Sequence, residues 1–426
     1  MSNFMLIVLV LITGVLTAGT QTFDQYFHRK TLRYDYIHSG TRNKEQIKPG
    51  KLISEPYWGG SLTQLIDTFG FGRYHFNLRD AKSGTLIYSR GFSTLFVEWQ
   101  DTEEAKTKRK GFRESIVMPF PKDDAVLEIY RRDKKNVLHL IFSDKIHPGK
   151  EKIMTRGVPS WEKRDIAVHG DPAEKLDIVF LAEGYTADDM HLFWDDCRKF
   201  AGYLTGAAPY GEVSESINFR GVGVISDESG VSLPGEKIFR KTGLGASFST
   251  FGSERYLMAE DFQRVRDAAG LVPYDQIFII VNSDKYGGGG IYNFYATGTR
   301  GNKEAGFLLI HEFGHSFAGL ADEYYTSEVA VDAFYDLQTE PWEPNITTLI
   351  DFERKWKGML LPGTPVPTPA IPANEQTIGV FEGAGYSARG IYRPYQECTM
   401  KSVRYDAFCP VCRRAILQMI RFYSTP

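Results

Sequence analysis

Two histidines and a glutamate lie in an apolar segment of the chain at a spacing that suits metal chemistry. His311, Glu312 and His315 form the pattern H-E-x-x-H. Residues four apart lie on the same face of a helix, so both imidazoles can reach one zinc ion. Glu312 is placed where its carboxylate can contact a water molecule on the ion without taking a ligand position. The pattern predicts a zinc site with a general base beside it.

The neighbouring residues predict the helix that must carry this site. Apolar side chains recur along the segment as a separate stripe, at Ile310, Phe313, Phe317 and Leu320. A stripe of this kind anchors a helix in a core. Gly319 is a natural helix stop, because glycine readily takes the left-handed conformation that ends a helix. The chain can then turn back towards the ion.

The third zinc ligand is expected just after this turn. A catalytic zinc takes three protein ligands and keeps one position open. No histidine follows His315, and the nearest downstream donors are Asp322 and Glu323. We expect His311, His315 and Asp322 to hold Zn²⁺. Glu323 either supports these ligands or is itself the third ligand.

Three segments together resemble a known family. They are residues 311–325, Cys398-Thr399-Met400 and residues 408–412. They resemble the IgA-peptidase family of bacterial zinc metallopeptidases, which is metzincin-like and often has a β-rich domain before its catalytic domain. Metzincins extend the motif to H-E-x-x-H-x-x-G-x-x-H, or to Asp in the last place. Here Gly319 and Asp322 each fall one position later.

The resemblance implies further roles. Met400 is expected on a tight turn beneath the zinc, although methionine is also a common core residue. Residues 291–297 are expected to form an edge strand that pairs with an extended substrate, the alternative being an ordinary sheet edge. Tyr324 or Tyr392 is the candidate for assisting zinc in stabilising the oxyanion.

These expectations define a function. We expect an exported zinc-dependent endopeptidase acting on a protein or peptide substrate, in which Glu312 takes a proton from zinc-activated water and passes it to the leaving amine. One alternative is a gluzincin-type site whose third ligand is Glu340 or Glu353. Another is a non-catalytic exported binding protein with a structural zinc, but a structural ion has no use for Glu312.

The pattern along the chain predicts an α+β protein. Residues 1–20 are expected to be a signal peptide, 21–155 a β-sandwich domain, and 156–426 an α/β metzincin-like zinc peptidase domain. The predicted strands are residues 73–78, 85–89, 125–130, 137–142, 177–182, 219–225 and 276–282. The predicted helices are residues 254–269 and 410–423, the zinc helix, and a helix capped by Thr186.

Composition and the N-terminus predict the compartment and exclude some partners. Residues 4–16 are almost wholly apolar and precede the small residues 17–20, which is typical of a cleaved signal peptide. The chain is therefore expected in the periplasm, on the cell surface or outside the cell, with no membrane span after cleavage. The net charge of −3 and the lack of a long basic tract exclude nucleic acid as an expected partner.

The cysteines all fall in the predicted peptidase domain, at Cys197, Cys398, Cys409 and Cys412. Export favours disulfide formation. A closed zinc site on these cysteines would need a fourth ligand, and no histidine lies near them in sequence. We therefore expect a disulfide from Cys398 to Cys409 or Cys412.

Overall fold

The computed structural model describes residues 22–150, 153–154, 160–325, 334–404 and 407–425. The predicted signal peptide lies outside the described residues, and so does the predicted domain boundary between 155 and 156. Among the described residues, no helix combines the length and the apolar character needed to cross a membrane.

The first half of the chain is built from antiparallel strands. They are β1 (Phe27–Thr41), β2 (Lys44–Glu55), β3 (Tyr74–Asp80), β4 (Leu86–Phe92), β5 (Lys110–Pro121), β6 (Ala125–Arg132) and β7 (Leu138–Ile146). Short helices accompany them: α1 (Phe23–Tyr26), α2 (Leu95–Gln100) and α3 (Glu104–Thr107). The strands form one sheet in the order β2-β1-β5 and another in the order β4-β3-β6-β7.

Alternating side chains bury one face of each of these sheets. In β3, for example, Tyr74, Phe76 and Leu78 are buried while the residues between them are partly exposed. Side chains such as these from both sheets meet in one hydrophobic core. The four strands predicted in this half are all present, with shifted ends.

The second half is organised around a mixed sheet with the strand order β14-β15-β13-β9-β10-β8. Its strands are β8 (Glu162–Ala167), β9 (Leu176–Glu183), β10 (Ile217–Gly223), β13 (Gln276–Val281), β14 (Gly288–Ile291) and β15 (Tyr295–Thr299). The inner strands β15, β13, β9 and β10 are parallel, while β14 and β8 are antiparallel edges. The prediction that residues 177–182 form a buried strand is confirmed, since β9 is buried throughout, as expected for the middle of a covered sheet.

The remaining elements of this half are short strand pairs and helices. The strand pairs are β11 (Ala246–Ser247) with β12 (Met258–Ala259), and β16 (Phe381–Ala384) with β17 (Ser387–Arg393). The helices are α4 (Met190–Gly206), α5 (Phe262–Ala269), α6 (Ala305–Ala318) and α7 (Pro410–Ser424). Helix α7 confirms the helix predicted at 410–423.

Two predicted helix starts are wrong. The helix predicted at 254–269 begins only at Phe262, because β12 pairs with β11 and Asp261 caps the first turn by accepting from the Arg264 amide. Thr186 does not cap α4, which begins at Met190. Its hydroxyl instead donates to Asp189, at 2.9 Å, within the preceding turn.

The two parts of the chain are joined by polar contacts that α5 makes with β1 and β5. The Arg33 guanidinium lies 2.7 Å from the Asp267 carboxylate. The Gln263 side-chain amide donates to the carbonyl oxygens of Tyr36 and Glu114, at 3.0 and 3.1 Å. Buried hydrogen bonds of this kind hold α5 in place against the first sheet.

The edge of the mixed sheet differs from the prediction. Residues 291–297 do not form a single edge strand: β14, which contains most of the glycine run, is the edge, and β15 lies inside it. Glycine is required at position 290 because α6 packs on this edge. A Cβ on Gly290 would lie 2.1 Å from the Glu312 carbonyl oxygen, well inside contact distance.

Candidate metal centre and cleft

Helix α6 carries the H-E-x-x-H motif and ends as the sequence predicts. Gly319 has a φ of 62°, and its amide donates to the His315 carbonyl at 3.1 Å. The next amide, of Leu320, donates to the Gly314 carbonyl at 3.2 Å. This left-handed cap reverses the chain, so Asp322 returns to the face of α6 that carries the histidines.

Three donor atoms meet at this point. The Nε2 atoms of His311 and His315 are 3.1 Å apart. Oδ1 of Asp322 lies 3.2 Å from Nε2 of His311 and 3.4 Å from Nε2 of His315. Donor atoms of a tetrahedral zinc site with bonds of about 2.0–2.1 Å are about 3.3–3.4 Å apart. The spacing of the three atoms therefore suits one small metal ion.

The hydrogen bonds of the histidine rings also suit a metal ion. Nδ1 of His311 donates to the Thr399 carbonyl at 3.1 Å, and Nδ1 of His315 donates to the Leu320 carbonyl at 2.6 Å. In the neutral rings, both Nε2 atoms are then unprotonated lone-pair donors. Two lone pairs and a carboxylate that face each other repel unless a cation lies between them.

The Asp322 carboxylate has one buried oxygen that a metal ion would satisfy. Its side chain is buried, and Oδ1 has no hydrogen-bond partner, although Oδ2 accepts from the Tyr386 hydroxyl. A buried carboxylate oxygen is costly without a partner. This donor set fits a divalent cation.

Glu312 lines the same cleft beside these donors. Burial raises the pKa of its carboxyl group, and the neighbouring His311 and His315 oppose that rise. Its backbone is fixed by close packing against β14 at Gly290. Glu312 thus lines the cleft beside the donor cluster, as a general base requires.

The other acidic residues named from the sequence lie elsewhere. Glu323 is fully buried beside three cysteines and is not one of the donors grouped with His311. Glu340 accepts from the Asp351 amide and the Thr348 hydroxyl, at 3.1 and 3.2 Å, on another part of the cleft wall. Glu353 forms an exposed ion pair with Lys357.

Met400 packs beneath the motif helix. Its Sδ lies 3.0 Å from the position that a Cβ on Gly314 would take, between the two histidines in sequence. The side chain is fully buried, and its carbonyl accepts from the Glu323 amide at 2.8 Å. The turn that contains Met400 also supplies the Thr399 carbonyl that orients His311.

The tyrosines of the site differ from those expected. Tyr324 lines the cleft, whereas Tyr392 lies outside it and pairs with Thr347 through the backbone. Tyr386 is a further residue of the site that the sequence did not predict; it lies in the turn between β16 and β17 at a φ of 63°. A tyrosine after Ala384 and Gly385 matches no catalytic motif, so only the folded hairpin reveals its contact with Asp322.

The donor cluster opens into a large cleft of about 2430 Å³. Both halves of the chain line it, the first through residues such as Arg73, Glu98 and Arg132, and the second through β14 and the motif helix. Pockets for small ligands are typically about 300–1,000 Å³. The cleft is therefore large enough for an extended polypeptide.

The cysteine prediction is wrong in the described structure. All four cysteines are buried and unbridged, and the sulfur atoms of Cys398 and Cys412 are 3.9 Å apart. A disulfide needs about 2.05 Å. The sulfurs of Cys398, Cys409 and Cys412 instead lie close to the Glu323 carboxylate.

Comparison with known families agrees with this site. The IgA Peptidase M64 family model matches residues 165–375 and 371–420, and the Peptidase M64 N-terminus model matches residues 22–143. No curated protein gives a significant match to the chain. The chain is a peptidase, a hydrolase that acts on peptide bonds. It belongs to the IgA Peptidase M64 family, as its sequence motifs predicted.

The family matches also bear on the architecture. The predicted order of an N-terminal domain followed by a peptidase domain is confirmed, and the structure is of mixed α/β type. The peptidase match contains α6 and the donor cluster, and the N-terminal match contains β1 to β6.

Proposed function

We propose that this chain is an exported zinc-dependent endopeptidase of metzincin-like fold. His311, His315 and Asp322 would hold Zn²⁺, and Glu312 would act as general base. The observation that carries the proposal is the approach of three donor atoms to 3.1–3.4 Å of one another, with Asp322 Oδ1 otherwise unpartnered. The family membership supports a metallopeptidase.

Different groups of the chain have different roles in the proposed reaction. Bound zinc would polarise the scissile carbonyl and make a water molecule more acidic. Glu312 accepts the proton from the attacking water and then delivers it to the leaving amine nitrogen, so the carboxylate is regenerated. The Thr399 and Leu320 carbonyls hold the two imidazoles in the tautomer that presents Nε2. Tyr324 is the candidate donor to the developing oxyanion.

The substrate is proposed to be an extended protein segment. The cleft exceeds the size of a small-ligand pocket, and the edge strand β14 forms part of its wall. An extended peptide can add to a sheet edge through backbone hydrogen bonds, which requires no particular side chains. The open cleft favours cleavage within a chain.

The remaining proposals concern location and domain organisation. Residues 1–20 would be a signal peptide that directs the chain to the periplasm, cell surface or exterior. Residues 21–155 would form a β-sandwich domain, consistent with two sheets that share a core. Residues 156–426 would form the catalytic domain. No nucleic acid partner is proposed, since the net charge is −3.

A pair of variants tests the ligand assignment. We expect Asp322→Ala to lose the ion of the histidine site and all cleavage of a mixed peptide library. Glu353→Ala is the matched control, because this exposed glutamate is the alternative third ligand of a gluzincin-type site. Zinc content and cleavage are measured on both variants. An active Asp322→Ala enzyme beside an inactive Glu353→Ala enzyme would overturn the assignment.

A further inference from the structure

A second group of metal-binding side chains lies apart from the histidine site. Its members are Glu323, Cys398, Cys409 and Cys412, all buried, and one donor atom from each lies within 4.8 Å of all the others. The sulfur of Cys412 is 3.1 Å from Oε1 of Glu323. The sequence suggested no fourth partner for these cysteines, because Glu323 is far from them along the chain.

We propose that these four residues bind a second, structural metal ion, with zinc as the expected occupant. Three thiolates and one carboxylate would make a closed four-ligand site with no position for water. Bonds of about 2.3 Å to tetrahedral zinc place two sulfurs about 3.8 Å apart. The sulfurs of Cys398 and Cys412 are 3.9 Å apart.

The surroundings of the cluster supply an independent observation. Oε2 of Glu323 has no hydrogen-bond partner, although this side chain is 0% exposed. Oε1 accepts from the Asn345 side-chain amide at 2.9 Å, which leaves Oε2 as the unsatisfied atom. A cation in the cluster would offset the negative charge of this buried carboxylate, which is costly to bury without a counter-charge.

A backbone donor and a helix N-terminus lie beside the cysteine sulfurs. The Cys409 amide donates to the Cys398 sulfur at 3.3 Å. Cys409 caps α7 and Cys412 lies in its first turn, so both sulfurs are near the positive end of a helix of 15 residues. The helix dipole and amide donors stabilise negative charge at this end.

A metal ion in the cysteine cluster would link the segments that form the histidine site. Glu323 follows Asp322 directly, and its amide donates to the Met400 carbonyl at 2.8 Å. Cys398 begins the turn whose Thr399 carbonyl accepts from His311. An ion on Glu323 and Cys398 would therefore tie both segments to α7. The proposal of a second ion does not depend on whether the histidine site is catalytic.

Metal stoichiometry in the full chain tests the proposal. We expect two zinc ions per chain in the wild type, one in His311→Ala/His315→Ala, and one in Cys398→Ser/Cys412→Ser. Cys197→Ala should keep two, because Cys197 is a buried cysteine of α4 outside the cluster. Elemental analysis and native mass spectrometry provide the counts.

Cobalt provides a readout that does not require the cysteine variant to fold. In the His311→Ala/His315→Ala chain, Co²⁺ should give an intense thiolate-to-metal charge-transfer band. Absence of that band would overturn the proposal. A disulfide among the three cysteines, seen as an unreduced mass lower by two hydrogen atoms, would also overturn it. If the cobalt band and the second ion are present in a chain without peptidase activity, this proposal stands and the proposed function fails.

Discussion

Asp322 and Glu323 are consecutive residues whose carboxylates lie in different clusters of donor atoms. Asp322 Oδ1 is 3.2 Å from Nε2 of His311, whereas Glu323 Oε1 is 3.1 Å from the sulfur of Cys412. Both side chains are buried, at 7% and 0% exposure. The two-residue segment thus joins the histidine cluster to the cysteine cluster.

Loss of the Tyr386 hydroxyl should weaken the histidine site. Tyr386 donates to Asp322 Oδ2, and groups that support a ligand in this way typically contribute about 10–100-fold to metal affinity or activity. We expect Tyr386→Phe to lose zinc affinity within that range, measured by competition with a chelator. Tyr392→Phe is the control, because Tyr392 lies outside the cleft. Equal affinities in the two variants would contradict the contact's role.

A methyl group at Gly290 should disturb the fit between β14 and α6. The added Cβ would meet the Glu312 carbonyl oxygen at 2.1 Å. Overpacking of this kind costs about 1–3 kcal/mol, and we expect Gly290→Ala to lower the free energy of unfolding by that amount and to reduce cleavage.

Denaturant unfolding measures the change, with Gly202→Ala as its control. Gly202 lies on the exposed side of α4 with open space around it. Alanine there should stabilise the helix by about 0.5–1 kcal/mol. A Gly290→Ala chain as stable as the wild type would show that the helix and strand can separate freely.

The Asp177 and Asp275 pair predicts a pH dependence of stability away from the candidate site. Burial raises the pKa of Asp177 to about 6, although Arg220 opposes the rise. Burial and the Asp177 charge also raise the pKa of Asp275 well above its usual value. The folded state therefore favours protonated carboxyls. Their contribution is fully present below the unfolded pKa and is lost as pH rises through the folded value.

Asp275→Asn should reduce this loss, because the amide cannot ionise and its oxygen can still accept from the Asp177 amide. We expect the variant to gain melting temperature relative to the wild type at about pH 8, and to gain less at about pH 5. Calorimetry at both values measures the difference, with Asp188→Asn as an exposed control. If the melting temperatures of Asp275→Asn and the wild type differed by the same amount at both pH values, the raised pKa values assigned to this pair would be wrong.

Elements with a strong local pattern were predictable from the sequence. The end of α6 at Gly319 and the extent of α7 follow from side-chain periodicity and from residues that stop or start helices. The buried strand β9 follows from its continuous apolar run. The motif also named His311 and His315 directly, because helical spacing alone brings them together.

Features that depend on contacts distant in sequence were not predictable. Tyr386 reaches Asp322 across 64 positions, and Glu323 reaches Cys412 across 89. No local periodicity encodes such pairs. Glycine disfavours strands, so the local sequence does not indicate that residues 288–290 belong to a strand. Their place at the sheet edge depends on tertiary packing, since Gly290 leaves room for the backbone of α6.

The central claim is tested most directly by comparing the mature wild-type chain with Glu312→Gln for zinc content and cleavage of a mixed peptide library. We expect equal zinc in both chains and a loss of about 10²–10⁴-fold in turnover in the variant. Glutamine keeps the shape of the side chain but cannot accept the proton. A Glu312→Gln chain that binds zinc and cleaves at the wild-type rate would contradict the account.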